Sequence, residues 1–188
     1  HYPKARILQL IRNPLQSMES WMLNGAGEFL NSNINGTRNK ARHVIHWERM
    51  VDKILAMFKQ ILYPIHNPLL SYGIRLEDIK VNPQTAMPKL ASWIGVSDNA
   101  ALYNSSFCGL QYWGPPSANG KITGFDKKAI ELPVGRFLGT RDIIIFETLF
   151  WPLSNSYCYS KMTAAEFRFS LTQIRDWLDE PLQFENEI

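Results

Sequence analysis

The chain has 188 residues, of which 45% are hydrophobic and 20% charged, and it includes six tryptophans and ten phenylalanines. A fold of this length buries about 70% of its unfolded surface, so the composition suits a packed core and excludes a disordered or fibrous chain. The formal charge is only +3; basic residues are scattered, with no lysine-rich arm, which argues against a nucleic-acid partner.

Residues 6–12 read as a buried apolar strand and 14–23 as the helix that follows it. Residues 24–39 are polar and turn-forming. From His43 to Leu62 apolar residues recur at helical spacing through Val44, Trp47, Val51, Ile54, Leu55, Phe58 and Ile61, and Pro64 closes that helix. Residues 69–76 give a second strand. Asn82-Pro83 starts another helix, which ends at Gly95; Pro88 inside it predicts a kink or a late start. Residues 96–140 are loop-rich, and a loop region of that length in a compact domain is usually functional or disordered. A helix is expected from Asp142 to about Ser154. A second opens at the capping box Thr163-Ala164-Ala165-Glu166 and runs to about Asp179. The order of elements is that of an α/β chain with parallel strands.

No run of eighteen apolar residues is present, so no membrane span is expected, and no secretory signal is recognisable. Cys108 and Cys158 form no metal or redox motif; they could pair as a disulfide but read rather as two buried free thiols. Glycosylation-type triplets at Asn35-Gly36-Thr37 and Asn104-Ser105-Ser106 are too common by chance to fix a compartment. His43 and His46 stand three apart on a helix, but no third metal ligand has suitable spacing. Gly25-Ala26-Gly27 and Gly120-Lys121 do not follow strands, and no Gly-x-x-x-x-Gly-Lys-Ser/Thr loop occurs.

The chemistry concentrates at Ile11-Arg12-Asn13-Pro14. The strand delivers Arg12 to its C-terminal end; Asn13 is a good N-cap and Pro14 a good first helical residue. First-turn amides and the helix dipole are expected to face the same space as the guanidinium, which makes an anion site from local rules. Ser17 and Ser20 fall on one helical face nearby. The plainer alternative is an arginine that pairs with a carboxylate.

An apolar strand, then Arg12-Asn13-Pro14, then Ser20 resembles the segment that binds the 3′-phosphate of the sulfate donor PAPS in sulfotransferases. Leu76-Glu77-Asp78-Ile79-Lys80, followed by Asn82-Pro83 and the Trp93-Ile94-Gly95 ending, resembles a second element of that family. Leu76 stands where the family has a tyrosine against the adenine. Asn104-Ser105-Ser106-Phe107 resembles the Thr-Ser-Phe element, with Ser105 for the hydroxyl and Phe107 for the aromatic face, although an isolated Phe is more often simply core. Lys127, Lys128 and Arg136 lie where the family has its basic loop over the 3′-phosphate, and the sequence does not choose among them or exclude a solvated turn. Gln111-Tyr112-Trp113 suits an acceptor wall or simple packing.

The resemblance covers residues 5 to about 160. It implies a P-loop-NTPase-like sulfotransferase fold, with a parallel sheet flanked by helices and incomplete at its N-terminus. It also implies transfer of a sulfuryl group from PAPS to a hydroxyl or amine of a small-molecule or glycan acceptor, with PAP as product. The family's phosphosulfate loop and catalytic base precede the Arg-Asn-Pro strand, so no catalytic residue is nominated. The expected organisation is one partial domain over 1–188, with a nucleotide and acceptor region at 96–140 and C-terminal helices from 141. The competing expectation is a non-catalytic remnant that serves as an interaction domain.

Overall fold

The computed structural model describes residues 5–25, 70–104, 106–111 and 124–184. The chain is α/β and divides into two compact units, one of residues 1–12 and 65–132 and the other of 13–64 and 133–188. The helix expected over 43–62 lies outside the described residues.

In the first unit, strand β1 (Ile7–Ile11) pairs in parallel with β2 (Ser71–Arg75). The register sets Ile7 opposite Ser71 and Ile11 opposite Arg75. Helix α2 (Leu76–Val81) leaves β2 without a loop, and α3 (Pro83–Ile94) follows after Asn82. Glu77 and Asp78 therefore occupy a helical first turn, where acidic groups suit the dipole and Asp78 pairs with Arg75 at 3.6 Å. Helix α3 begins at Pro83 and runs through Pro88, so the late start is not observed. It ends at Gly95, whose φ of +87° supplies the left-handed cap.

Ile74, Ala86, Met87 and Leu90 form the core of this unit, with Tyr72, Ile79, Trp93, Leu102, Tyr103 and Phe125 packed around them. Arg6 sits 5.8 Å over the Trp93 ring and donates to the Trp93 carbonyl. A short hairpin of β3 (Ser106–Phe107) and β4 (Leu110–Gln111) interrupts the expected loop region.

The reading of β1 as buried is corrected. Ile7, Leu8 and Leu10 are 46%, 42% and 56% exposed. A strand of a parallel sheet is buried only when both faces are covered, and among the described residues β1 has a neighbour on one edge.

The second unit is helical: α1 (Pro14–Gly25), α4 (Thr140–Leu149), α5 (Trp151–Ser156) and α6 (Ala164–Arg175). Leu15 and Met18 of α1, Ile145 and Phe146 of α4, Phe150, Ile174 and Phe184 make its core. The single helix expected from Asp142 to Ser154 breaks at Phe150, because Pro152 lies in the first turn of a new helix. The capping box at α6 forms as expected, with Glu166 N–H donating to Thr163 Oγ1 at 3.2 Å and Thr163 N–H to Glu166 Oε2 at 2.7 Å.

Cys108 and Cys158 are free but exposed, which corrects their reading as buried. Each sits at a positive φ, 51° and 56°, so both belong to tight surface turns that keep the thiol out of a core. No described helix is long and apolar enough to cross a membrane.

Candidate anion site at Ser20 and Arg136

The start of α1 is built as its sequence directs. Leu15 and Gln16 N–H donate to Asn13 Oδ1 at 3.0 and 3.2 Å, and Ser17 N–H donates to the Asn13 carbonyl at 2.9 Å. Pro14 has no N–H to offer. The first-turn amides are thus engaged within the helix, which corrects the expectation that they face an anion. What this helix end offers is its dipole and its side chains.

Ser17 and Ser20 are both half-buried. Arg136 Nη2 donates to Ser20 Oγ at 3.4 Å, so two of the nominated residues meet although 116 positions separate them. The Arg136 Nε–H donates to the Pro133 carbonyl at 3.0 Å. A guanidinium beside a hydroxyl is a donor set matched to the oxygens of a phosphate monoester.

The residue that builds this corner is Glu19, which the sequence reading passed over. Its side chain is fully buried. One oxygen, Oε1, accepts N–H bonds from Gly135 at 2.9 Å and from Phe137 and Leu138 at 3.0 Å each. The other, Oε2, lies 3.8 Å from Arg136 Nε. Gly135, at φ +94°, provides the turn that lets these amides converge on one atom. Asp142 also gathers backbone donors, on both of its oxygens: fully buried, it accepts from Gln183 N–H at 2.7 Å and Phe184 N–H at 3.1 Å. A signal for both was present. Glu19 follows Leu15 and Met18 at helical spacing, and Asp142 precedes Ile145 and Phe146, so each acid lies in an apolar stripe.

The other nominated residues belong to the first unit. Arg12 is half-buried and follows β1 at the end of the first unit's N-terminal segment. Lys127 and Lys128 are exposed in the first unit at a short 3₁₀ turn, where Lys128 N–H donates to Asp126 Oδ1 at 3.0 Å. Phe107 pairs with Leu110 in the hairpin. Its side chain, Ser105, and residues 112–123 with Tyr112 and Trp113 lie outside the described residues.

The second unit also holds a cavity of about 370 Å³ lined by residues that include Asn13, Glu147, Tyr159 and Lys161. Glu147 reaches solvent, but the protein on its inner side strips water from the carboxyl and pushes its pKa up. Among the described residues, no three histidine, cysteine or acidic side chains cluster as metal ligands.

No family model matches the chain, and no curated protein sequence does. Among solved structures it is similar to a sulfotransferase domain from the curacin biosynthetic pathway. The two are 15% identical with a TM-score of 0.44, and the likeness covers 84% of this chain and 55% of that one. The chain thus spans about half the length of this structural neighbour.

Proposed function

We propose that the protein belongs to the PAPS-dependent sulfotransferases and supplies the 3′-phosphate and adenine side of the nucleotide site. The observation that carries this reading is the meeting of Ser20 with Arg136 at 3.4 Å. Both were nominated from separate stretches of sequence for the same phosphate. The parallel strand pair, with Arg12 directly after β1 and an Asn13-capped helix next in the chain, supports it further.

In this reading Ser20 and Arg136 hold the 3′-phosphate. Arg12, Lys127 and Lys128 for the phosphate, and Ser105 and Phe107 for the adenine, are assigned by the family resemblance alone. PAPS, when bound, supplies the sulfuryl group and leaves as PAP. The protein's part is to fix the nucleotide by its phosphate so that an acceptor hydroxyl or amine of a small molecule or glycan meets the sulfur in line. A bidentate guanidinium contact fixes orientation as well as affinity.

Calorimetric titration with PAP and, separately, with AMP tests the reading, because AMP lacks the 3′-phosphate. Each charge-assisted bond contributes about 1.5–3 kcal/mol, so PAP is expected to bind at least tenfold tighter than AMP. Equal affinities, or no PAP binding by the folded protein, would contradict the assignment.

A further inference from the structure

Glu19 is the only acid in α1, and it is 0% exposed. Taking a carboxylate out of water is unfavourable unless hydrogen bonds and an opposite charge compensate. Three N–H groups from the 135–138 turn compensate it at Oε1. Those bonds would suffice to tie a loop to a helix. Oε2 does something else: it faces the Nε edge of Arg136 at 3.8 Å. Three groups thus stand against the guanidinium on two edges: Nε–H donates to the Pro133 carbonyl with the Glu19 carboxylate 3.8 Å from the same nitrogen, and Nη2 donates to the Ser20 hydroxyl.

An unrestrained arginine loses rotamer freedom when it grips a ligand, and a guanidinium already fixed loses less. A nearby carboxylate also opposes an incoming anion. Three backbone donors spread the charge at one of its oxygens, and a positioning role requires that its effect on Arg136 orientation outweigh the remaining repulsion.

We propose that Glu19 is a positioning residue for phosphate recognition. By pinning the 135–138 backbone and facing Arg136 Nε, it holds the outer edge of that guanidinium at Ser20, where the 3′-phosphate of an adenosine nucleotide is received. The assignment of the phosphate rests on the function proposed above; the hold on Arg136 does not.

The test compares wild type, Glu19→Gln, Arg136→Ala and the double variant for PAP and AMP binding. Glutamine keeps an acceptor for the three amides and removes the charge that faces Nε. Glu19→Gln is expected to weaken PAP about three- to tenfold with AMP unchanged, and the double variant to bind no worse than Arg136→Ala alone. Equal losses for both nucleotides, full additivity with Arg136→Ala, or unchanged or tighter PAP binding would overturn the proposal.

A nitrogen-15 measurement on wild type covers the case in which Glu19→Gln fails to fold. Arg136 Nε–H is expected to exchange with water at least tenfold more slowly than that of exposed Arg168; equal rates would overturn the proposal. A wild type that binds PAP and AMP alike would refute the nucleotide reading, and slower Arg136 Nε–H exchange in wild type than in Glu19→Asp, which shortens the side chain, would still decide the hold by Glu19.

Discussion

Arg136 returns across 116 residues of chain to donate from Nη2 to the hydroxyl of Ser20. Neither residue is unusual by itself. Their meeting depends on Glu19, the neighbour of Ser20 in α1, which gathers the N–H groups on both sides of Arg136. One turn of helix thus supplies both a candidate ligand hydroxyl and the anchor for its basic partner.

Loss of the Ser20 hydroxyl is expected to weaken PAP binding about tenfold, the worth of a hydrogen bond to a charged group. Because Ser20 and Arg136 touch, Ser20→Ala and Arg136→Ala are expected to combine non-additively, with a coupling of about 0.5–3 kcal/mol. Titrations of the two single variants and the double variant measure this. Strict additivity would mean that the pair does not act on one group.

Asp142 predicts a stability effect with no ligand involved. Its two oxygens receive the Gln183 and Phe184 amides, and Phe184 packs on Phe137 at 5.3 Å between ring centroids. Asp142→Ala leaves buried donors without an acceptor and is expected to cost about 3 kcal/mol. Urea denaturation checks this; a change under about 0.5 kcal/mol, typical of a surface substitution, would contradict the assigned role.

The capping box gives a pH dependence of known sign. Hydrogen bonds from the Thr163 backbone and then its side chain lower the pKa of Glu166 below its ordinary 4.5. A depressed carboxyl stabilises the fold above the unfolded pKa, and this contribution is lost as pH falls through the folded one. Amide protection in α6, taken relative to the intrinsic exchange rate at each pH, is therefore expected to fall on acidification below about 4.5. Glu166→Gln should flatten that response, and an unchanged pH profile in the variant would count against it.

Glu147 predicts the opposite sign. Burial raises its carboxyl pKa, so its folded form holds its proton to higher pH than the unfolded chain does. Stability is then lost as pH rises through that window. Glu147→Gln is expected to raise the melting temperature slightly at neutral pH and to leave it unchanged in acid. A variant less stable than wild type at pH 7 would show instead that the carboxylate has a stabilising partner.

Much of the fold was legible because its signals are local. Apolar runs marked β1 and β2; Asn13-Pro14 and Thr163 with Glu166 marked two helix starts through caps that act within four residues, and Asn82-Pro83 a third through its first-turn proline, since the Asn82 side chain makes no cap bond. Helix α2 was missed because its six residues carry no full apolar period, and the break at Phe150 because Pro152 was not weighed against the apolar run around it. Exposure of β1 is a tertiary property that no strand pattern reports.

The site was legible only in part for the same reason. Arg136 was one of three basic candidates, and its selection depends on backbone amides that converge on Glu19 from more than a hundred residues away. The sequence does place Glu19 in an apolar stripe, which is the clue that was overlooked. The engagement of the first-turn amides by Asn13 was equally foreseeable, since a cap that satisfies those donors removes them from any anion.

The proposed function turns on whether Ser20 and Arg136 grip the 3′-phosphate of an adenosine nucleotide. The most direct measurement is PAP titration of wild type beside Ser20→Ala and Arg136→Ala, each confirmed folded by its thermal melt. The account predicts measurable binding to wild type and a loss of tenfold or more in each variant. Wild-type affinity in both variants would contradict it.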